Sequence, residues 1–273
     1  MEGDGQLIRD ITIGQYVPGD SLLHKADPRT KIILTFIMMI FIFLISTYWG
    51  YLLLTLFTAI TVISSNIPVK FVLKGLKPVL FIVIFAGIIN IFTIKGTEIW
   101  SWGFLSITYE GINVAIKMAI RLFLLIITAS LLTYTTTPIA LTDAIEKLLG
   151  PLKRIKVPVH EIAMMMTIAL RFIPTLLDET DKIIKAQSSR GADFDSGNMI
   201  ERAKSFIPVL IPLFISAFRR ADELATAMEA RCYRGSEGRT RMKQLRFSGS
   251  DAVVTVITVA FMTWVLLMEY VLF

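Results

Sequence analysis

The sequence predicts an all-α integral membrane protein with about five transmembrane helices and a cytoplasmic domain of one short and two long crossing amphipathic helices. Three observations lead there. Hydrophobic residues make up 54% of the 273 positions and mean hydropathy is +0.65, well above soluble usage. Long apolar runs separated by short charged or aromatic stretches make up residues 31–134, and another covers 251–273. Between them residues 135–250 carry apolar positions at helical period, mixed with charge. The expected division is a cytoplasmic N-terminal segment 1–30, a membrane domain 31–134 with four spans, a cytoplasmic domain 135–250 and a final span 251–273.

The first 30 residues hold acidic side chains, two glycine turns and no apolar core, so they do not read as a cleavable signal peptide. Lys31 to Ser46 opens an apolar run reaching Tyr48-Trp49-Gly50, and Tyr51 to Ile63 follows at once. A span needs about 20 residues and aromatics favour the interface, so two helices joined by a tight turn at Tyr48-Trp49 are expected. Lys70 to Pro78 reads as a short basic amphipathic loop. A third span runs from about Pro78 to Ile94, an aromatic loop holds Lys95, Trp100 and Trp102, a fourth span covers Ile112 to Tyr134, and the last covers Ala252 to Phe273.

Positive charge orients this arrangement. With five spans and a cytoplasmic N-terminus, Arg29, Lys31, Lys70, Lys74, Lys77 and the block 135–250 share one side. The Tyr48 turn and the Trp100 loop fall on the other. Lys117 and Arg121, four apart inside the fourth span, share a helix face. Lys117 is expected to snorkel and Arg121 to pair within the bundle, with a functional intramembrane charge as the sharper alternative.

Residues 135–250 are too apolar for a linker. Pro138 starts a short helix to about Leu149, stopped by Gly150-Pro151. From Pro158, Ile162, Met165, Met166, Ala169, Ile173, Leu176, Thr180, Ile183 and Gln187 recur every three or four residues, an amphipathic helix of about 30 residues. Asp178 with Lys182 and Asp181 with Lys185 support its polar face. It ends at Arg190-Gly191, and a turn over 191–198 leads to a second helix carrying Ala203, Ile207, Leu210, Phe214, Ala217, Ala221, Leu224 and Met228, which ends at Arg231. Phe206 to Phe218 is apolar but, at about 20 Å, too short to cross. Pro174, Pro208 and Pro212 are expected to bend the pair.

The +6 charge and pI near 9.4 do not indicate nucleic acid. Of 28 Lys and Arg, 18 lie in 135–250 beside 13 Asp and Glu, a mixed surface suited to solvent or protein docking. One cysteine and two histidines make no disulfide and no metal cluster, and no cofactor is expected.

Each long helix thus ends in an arginine between small residues, at Ser189-Arg190-Gly191 and, 41 positions on, Ala230-Arg231-Cys232. A cation suits helix C-terminal carbonyls and glycine suits a left-handed cap. That accounts for Arg190-Gly191 fully and for Arg231 partly, and leaves the recurrence unexplained. If the helices cross antiparallel, two similar arginine plugs point apart, and a guanidinium fork tolerates partial burial against carboxylates or carbonyls.

AMEARCYRGSEGRTR from Ala227 to Arg241, AQSSRGADF from Ala186 to Phe194, the PLFISAFRRA stretch before the second motif and the basic Asp27-Pro28-Arg29-Thr30-Lys31 approach to the first span resemble the transmembrane T component of energy-coupling factor transporters, over nearly the whole chain. The resemblance implies a bacterial or archaeal plasma-membrane subunit whose membrane part cradles a small substrate-binding S component for a vitamin or micronutrient. It further implies that residues 135–250 form a coupling domain whose two motifs, Ser189, Arg190, Gly191 and Ala230, Arg231, Cys232, dock into two ATP-binding-cassette ATPases. Glu229, Tyr233 and Arg234 would be accessory contacts. Ser189 stands where alanine is common and Cys232 where glycine is common, and both keep the flank small.

The competing readings are a membrane-embedded enzyme and a stand-alone channel or transporter. His160-Glu161 begins a zinc-protease pattern, but Met164 stands where the second histidine belongs; His160 reads as a first-turn residue and Glu161 as a dipole partner. Ala230-Arg231 with Gly235 faintly resembles lipid phosphotransferases, yet only Glu229 and Glu237 lie near and metal-holding aspartates are missing. No GxxxxGK[ST] loop is present, so ATP hydrolysis is expected of a partner. The spans show no evident repeat, and Gly75, Gly87 and Gly111 read as turns or close packing. Cys232 is expected as a small docking residue, the Met164–Met166 cluster as core or an adaptable surface, and Arg234, Arg239, Arg241, Lys243 and Arg246 as anchors to anionic lipid.

Overall fold

The computed structural model describes residues 16–102, 105–194, 198–235 and 245–272. The first fifteen residues, Glu237, and Arg239, Arg241 and Lys243 of the basic cluster lie outside the described residues. The described chain divides into two units, one built from 16–144 with 245–272 and the other from 145–235.

The first unit is helical except for one hairpin. It comprises α1 (Leu22–Lys25), α2 (Pro28–Leu44), α3 (Tyr48–Ser64), α4 (Val69–Thr93), the antiparallel strands β1 (Glu98–Trp102) and β2 (Leu105–Thr108), α5 (Tyr109–Thr135), most of α6 (Pro138–Leu148) and α10 (Gly249–Leu272). Asp27 caps α2 by accepting from the Arg29 amide at 2.9 Å, and Pro28 sits in the first turn, where its missing N–H costs nothing. The same carboxylate takes a bidentate pair from the Arg29 guanidinium at 2.8 and 3.1 Å.

Met38, Phe41, Ile42, Ile45, Tyr51, Leu54, Leu124, Met262 and Val265 form the core where α2, α3, α5 and α10 meet. Phe57 stacks on Phe261 with centroids 4.1 Å apart. Outward, Phe36, Phe43, Phe81 and Phe85 stay more than half exposed, the surface of a protein solvated by lipid rather than water. Burying such a face in acyl chains satisfies every apolar side chain without a second layer.

The turn between α2 and α3 is Ile45-Ser46-Thr47, three residues before the expected Tyr48-Trp49 position. Intramembrane charge explains the shift. Arg121 of α5 donates to the Ile45 carbonyl at 3.3 Å and to the Tyr51 hydroxyl at 2.8 Å. From α10, Glu269 accepts from the Ser46 amide and the Thr47 hydroxyl, each at 2.9 Å. The expected pairing of Arg121 inside the bundle holds, and Lys117 lies over the Tyr48 ring, 4.9 Å from its centre.

Two further expectations give way. Lys70 to Pro78 is not a loop but the opening of α4, with Pro78 inside the helix; a proline forfeits one backbone bond, which a long apolar helix survives. The aromatic loop contains the hairpin β1–β2, whose short strands left no alternating pattern long enough to read.

Among the described residues four helices are long and apolar enough to cross a membrane: Val69–Thr93, Tyr109–Thr135, Val159–Ser189 and Gly249–Tyr270. The set overlaps the expected spans without matching them. α2 and α3 have 17 residues each, about 26 Å of helix.

The second unit begins with the end of α6 and a 3-10 turn at Gly150–Ile155, followed by α7 (Val159–Ser189), α8 (Met199–Ser205) and α9 (Ile207–Ala230). The expected second amphipathic helix is therefore two. Asn198 opens α8 with a capping box closed by Glu201, and the chain breaks at Phe206 because Pro208 belongs in a first turn rather than an interior. Pro174 and Pro212 are accommodated inside α7 and α9.

Candidate functional site

Side-chain contacts between α7 and α9 fix their relative direction. Near the end of α7 the Gln187 amide donates to the Pro208 carbonyl in the first turn of α9 at 3.4 Å. Midway, Glu179 accepts from the Ser216 hydroxyl at 2.6 Å and from Arg220 at 2.7 Å. Just past the end of α9 the Tyr233 hydroxyl reaches Met164 in the second turn of α7, 3.0 Å from its sulfur. The order of contacts reverses along the two helices, so they run antiparallel. Their C-terminal ends point apart, separated by about 40 Å of helix at 1.5 Å per residue.

Those ends carry the same backbone device. At α7 the Ala192 amide returns to the Gln187 carbonyl and the Gly191 amide to Ser188, each at 3.0 Å. At α9 the Tyr233 amide returns to Met228 at 3.0 Å and the Cys232 amide to Glu229 at 2.9 Å. Both are Schellman caps, with the 6→1 and 5→2 bonds that define them. Arg190 (φ −89°, ψ 4°) and Arg231 (φ −91°, ψ 12°) hold matching C-cap conformations. Each is followed by a left-handed residue, Gly191 at φ 90° and Cys232 at φ 55°.

Both arginines are exposed, and neither has an ion pair among the described residues. The flanks stay out of the way: the Ser189 hydroxyl folds onto the Lys185 carbonyl at 2.9 Å, and Ala230 and Cys232 are small and exposed. Each terminus therefore presents a guanidinium fork on a turn of fixed shape, clear of bulk on both sides. A cap also leaves helix carbonyls of partial negative charge beside the cation, which favours it there. Of the accessory residues, Glu229 and Arg234 are exposed, whereas Tyr233 turns inward to its own chain.

One ion pair, Glu179 with Arg220, lies at the crossing. Glu179 lies three residues after Leu176 and four before Ile183, on the apolar stripe of α7, and Arg220 relates in the same way to Ala217 and Leu224 on α9. A charge on the stripe was the signal available in the sequence, and the expected pairs Asp178–Lys182 and Asp181–Lys185 drew the reading to the other face. The Ser216 hydrogen bond, reinforced by Arg220 against the cost of burial, holds the Glu179 carboxyl below its ordinary range. His160 stands in the first turn of α7, as expected, with Nδ1 3.0 Å from a Glu146 carboxylate oxygen. Arg234 and Arg246 of the basic cluster are described and exposed, whereas Arg239, Arg241 and Lys243 lie outside the described residues.

Comparison with known proteins places this arrangement. Residues 19–242 match the CbiQ family, described as cobalt transport proteins. The energy-coupling factor transporter transmembrane protein EcfT of Ruminiclostridium cellulolyticum is 93% identical across 98% of this chain and the whole of the relative. The EcfT proteins of Clostridium kluyveri and Bacillus subtilis are 55% and 49% identical, over 91% and 92% of this chain and 93% and 95% of their own lengths. A match spanning both arginine-capped helices and the apolar unit leaves one conclusion: this chain belongs to the CbiQ family, among the transmembrane components of energy-coupling factor transporters.

Proposed function

We infer that this protein is the scaffold and coupling subunit of an ATP-driven importer of the energy-coupling factor type. Two ATP-binding-cassette ATPases, identical or homologous, receive Arg190 and Arg231 in their grooves and hydrolyse the ATP. A small membrane-embedded S component brings a vitamin or other micronutrient. The matched Schellman-capped arginines at opposite ends of an antiparallel helix pair carry this reading, because two identical backbone plugs about 40 Å apart suit two similar receptors. ATP-driven closure of the ATPases displaces the helix ends, and the pair passes that displacement to the membrane unit and the S component.

The spans in this reading are α2, α3, α4, α5 and α10, with the N-terminus and residues 135–250 cytoplasmic and the bilayer lipid around them. α7 meets the length and composition of a span, but its charged residues and its polar crossing with α9 fit a helix beside the membrane. The test is to tag the chain, solubilise its native membrane gently and identify what co-purifies. Two ATPase subunits and a small membrane protein are expected. The double variant Arg190→Glu/Arg231→Glu should insert normally and lose the ATPases; recovery of ATPases at wild-type yield overturns the assignment.

A further inference from the structure

A polar chain leads from the second arginine motif into the start of α7. The Tyr233 hydroxyl lies 3.0 Å from Met164 Sδ and 3.4 Å from His160 Nε2. His160 Nδ1 in turn lies 3.0 Å from Glu146 Oε1, and the imidazole and carboxylate side chains are only 12% and 11% exposed. A carboxylate accepts, so Nδ1 carries a proton towards Glu146, and Nε2 faces the phenol, which can both donate and accept. Among the described residues, the imidazole nitrogen and the thioether both lie within reach of the phenolic hydrogen.

The place of Tyr233 in the cap gives the chain its consequence. It is the residue whose amide closes the 6→1 bond to Met228, two positions after Arg231. Fixing its ring therefore fixes the direction in which the cap, and the arginine upon it, leaves α9. At the first motif the same position is Ala192, which offers no polar side-chain atom. Support there comes from elsewhere, through Gln187 and through Phe194 against Phe206, whose ring centres are 5.3 Å apart.

We propose that Tyr233, acting through His160 and Glu146, is a positioning residue that locks the Arg231 plug onto the start of α7, so that displacement of this plug reaches α6, α7 and α9 together while displacement of Arg190 lacks that route. The proposal deepens the docking reading and rests on it for its functional meaning, but the lock itself is a property of the chain alone. The two ATPase sites are on this view unequal: one plug is tied through a tyrosine–histidine–glutamate chain to the start of α7, the other only through Gln187 and the Phe194–Phe206 contact.

The lone cysteine, exposed beside Arg231, serves as the reporter. A nitroxide on native Cys232, in the full chain in lipid vesicles, is compared with one on Ser189→Cys in a Cys232→Ala background. Tyr233→Phe, which keeps the ring, and His160→Leu should each raise the mobile fraction at 232 about fivefold, the factor set by a hydrogen bond of ordinary net strength. The spectrum at 189 should not change. An unchanged spectrum at 232 overturns the proposal, and equal loosening at both positions overturns it too, since that marks general destabilisation. Because no ATPase is present, the result is independent of the pull-down with Arg190→Glu/Arg231→Glu. If the label at 232 loosens as expected while that double variant keeps its ATPases, the lock stands and the docking reading falls.

Discussion

After the arginine that ends α7 come Gly191 and Ala192; after the arginine that ends α9 come Cys232 and Tyr233. The backbone makes the same two return bonds in each case, so the shape of the plug depends little on which residues carry it. What differs is the cost of the turn and how it is held. Glycine enters the left-handed region freely, whereas a cysteine there bears steric strain of about 1 kcal/mol. Alanine adds no polar contact to the first cap, which Gln187 and Phe194 hold, whereas tyrosine ties the second to the start of the opposite helix. Two ends that look like copies in the sequence are thus one economical cap and one strained, braced cap.

Charge reversal one site at a time is the strongest way to break the comparison. Arg190→Glu and Arg231→Glu should each weaken ATPase capture about 30-fold or more, the scale of a buried hot-spot arginine. A single reversal that leaves capture intact would show that the two ends do not play matched roles. Substituting the left-handed residues acts next. Gly191→Val should lower stability by about 1–2 kcal/mol, and Cys232→Gly should raise it by about 0.5–1 kcal/mol. Thermal unfolding of the purified protein reads both, and a loss on Cys232→Gly would mean that the thiol contributes more than its backbone costs. Cys232→Ala should leave uptake unchanged, since the flank stays small; vanished transport with an intact complex would give the thiol a role of its own.

The weakest effect concerns what the two ends share. Glu179 has a lowered pKa in the folded chain, so its contribution is present above its ordinary value of 4.5 and disappears as pH falls through the lowered one. As pH falls from neutral through 4.5 and on below it, the thermal midpoint of Glu179→Gln should therefore fall less than that of the wild type. Parallel decline would remove Glu179 from the crossing's stability, although the geometry with Ser216 and Arg220 would remain.

The sequence made some of this readable and hid the rest for physical reasons. Helical period and the breaker pairs placed α6, α7 and the end of α9 within a residue or so, and Gly191 announced its own cap because glycine is the usual left-handed residue. Cys232 gave no such notice, since a non-glycine residue at positive φ is set by the bonds around it rather than by its own preference. The break at Phe206 turned on one proline choosing a first turn over an interior. The inward turn of Tyr233 and the pairing of Glu179 with Arg220 involve residues distant in sequence, and no period within one helix reports a contact with another. The turn at Ile45–Thr47 moved because a guanidinium and a carboxylate from two later helices supply its hydrogen bonds.

That turn has a consequence for the lipid. A turn in apolar surroundings lacks water for its loose backbone groups, and Arg121 and Glu269 supply partners for them. In the proposed topology the paired helices α2 and α3 stop about 4 Å short of an average bilayer core of about 30 Å. Lipid beside them must thin or the helices must stand nearly upright, and the mismatch costs fractions of a kcal/mol for each ångström. Under the proposed topology, lipid that thins beside α2 and α3 favours a neighbour with short helices there, by relief of the deformation, before a single side chain has touched.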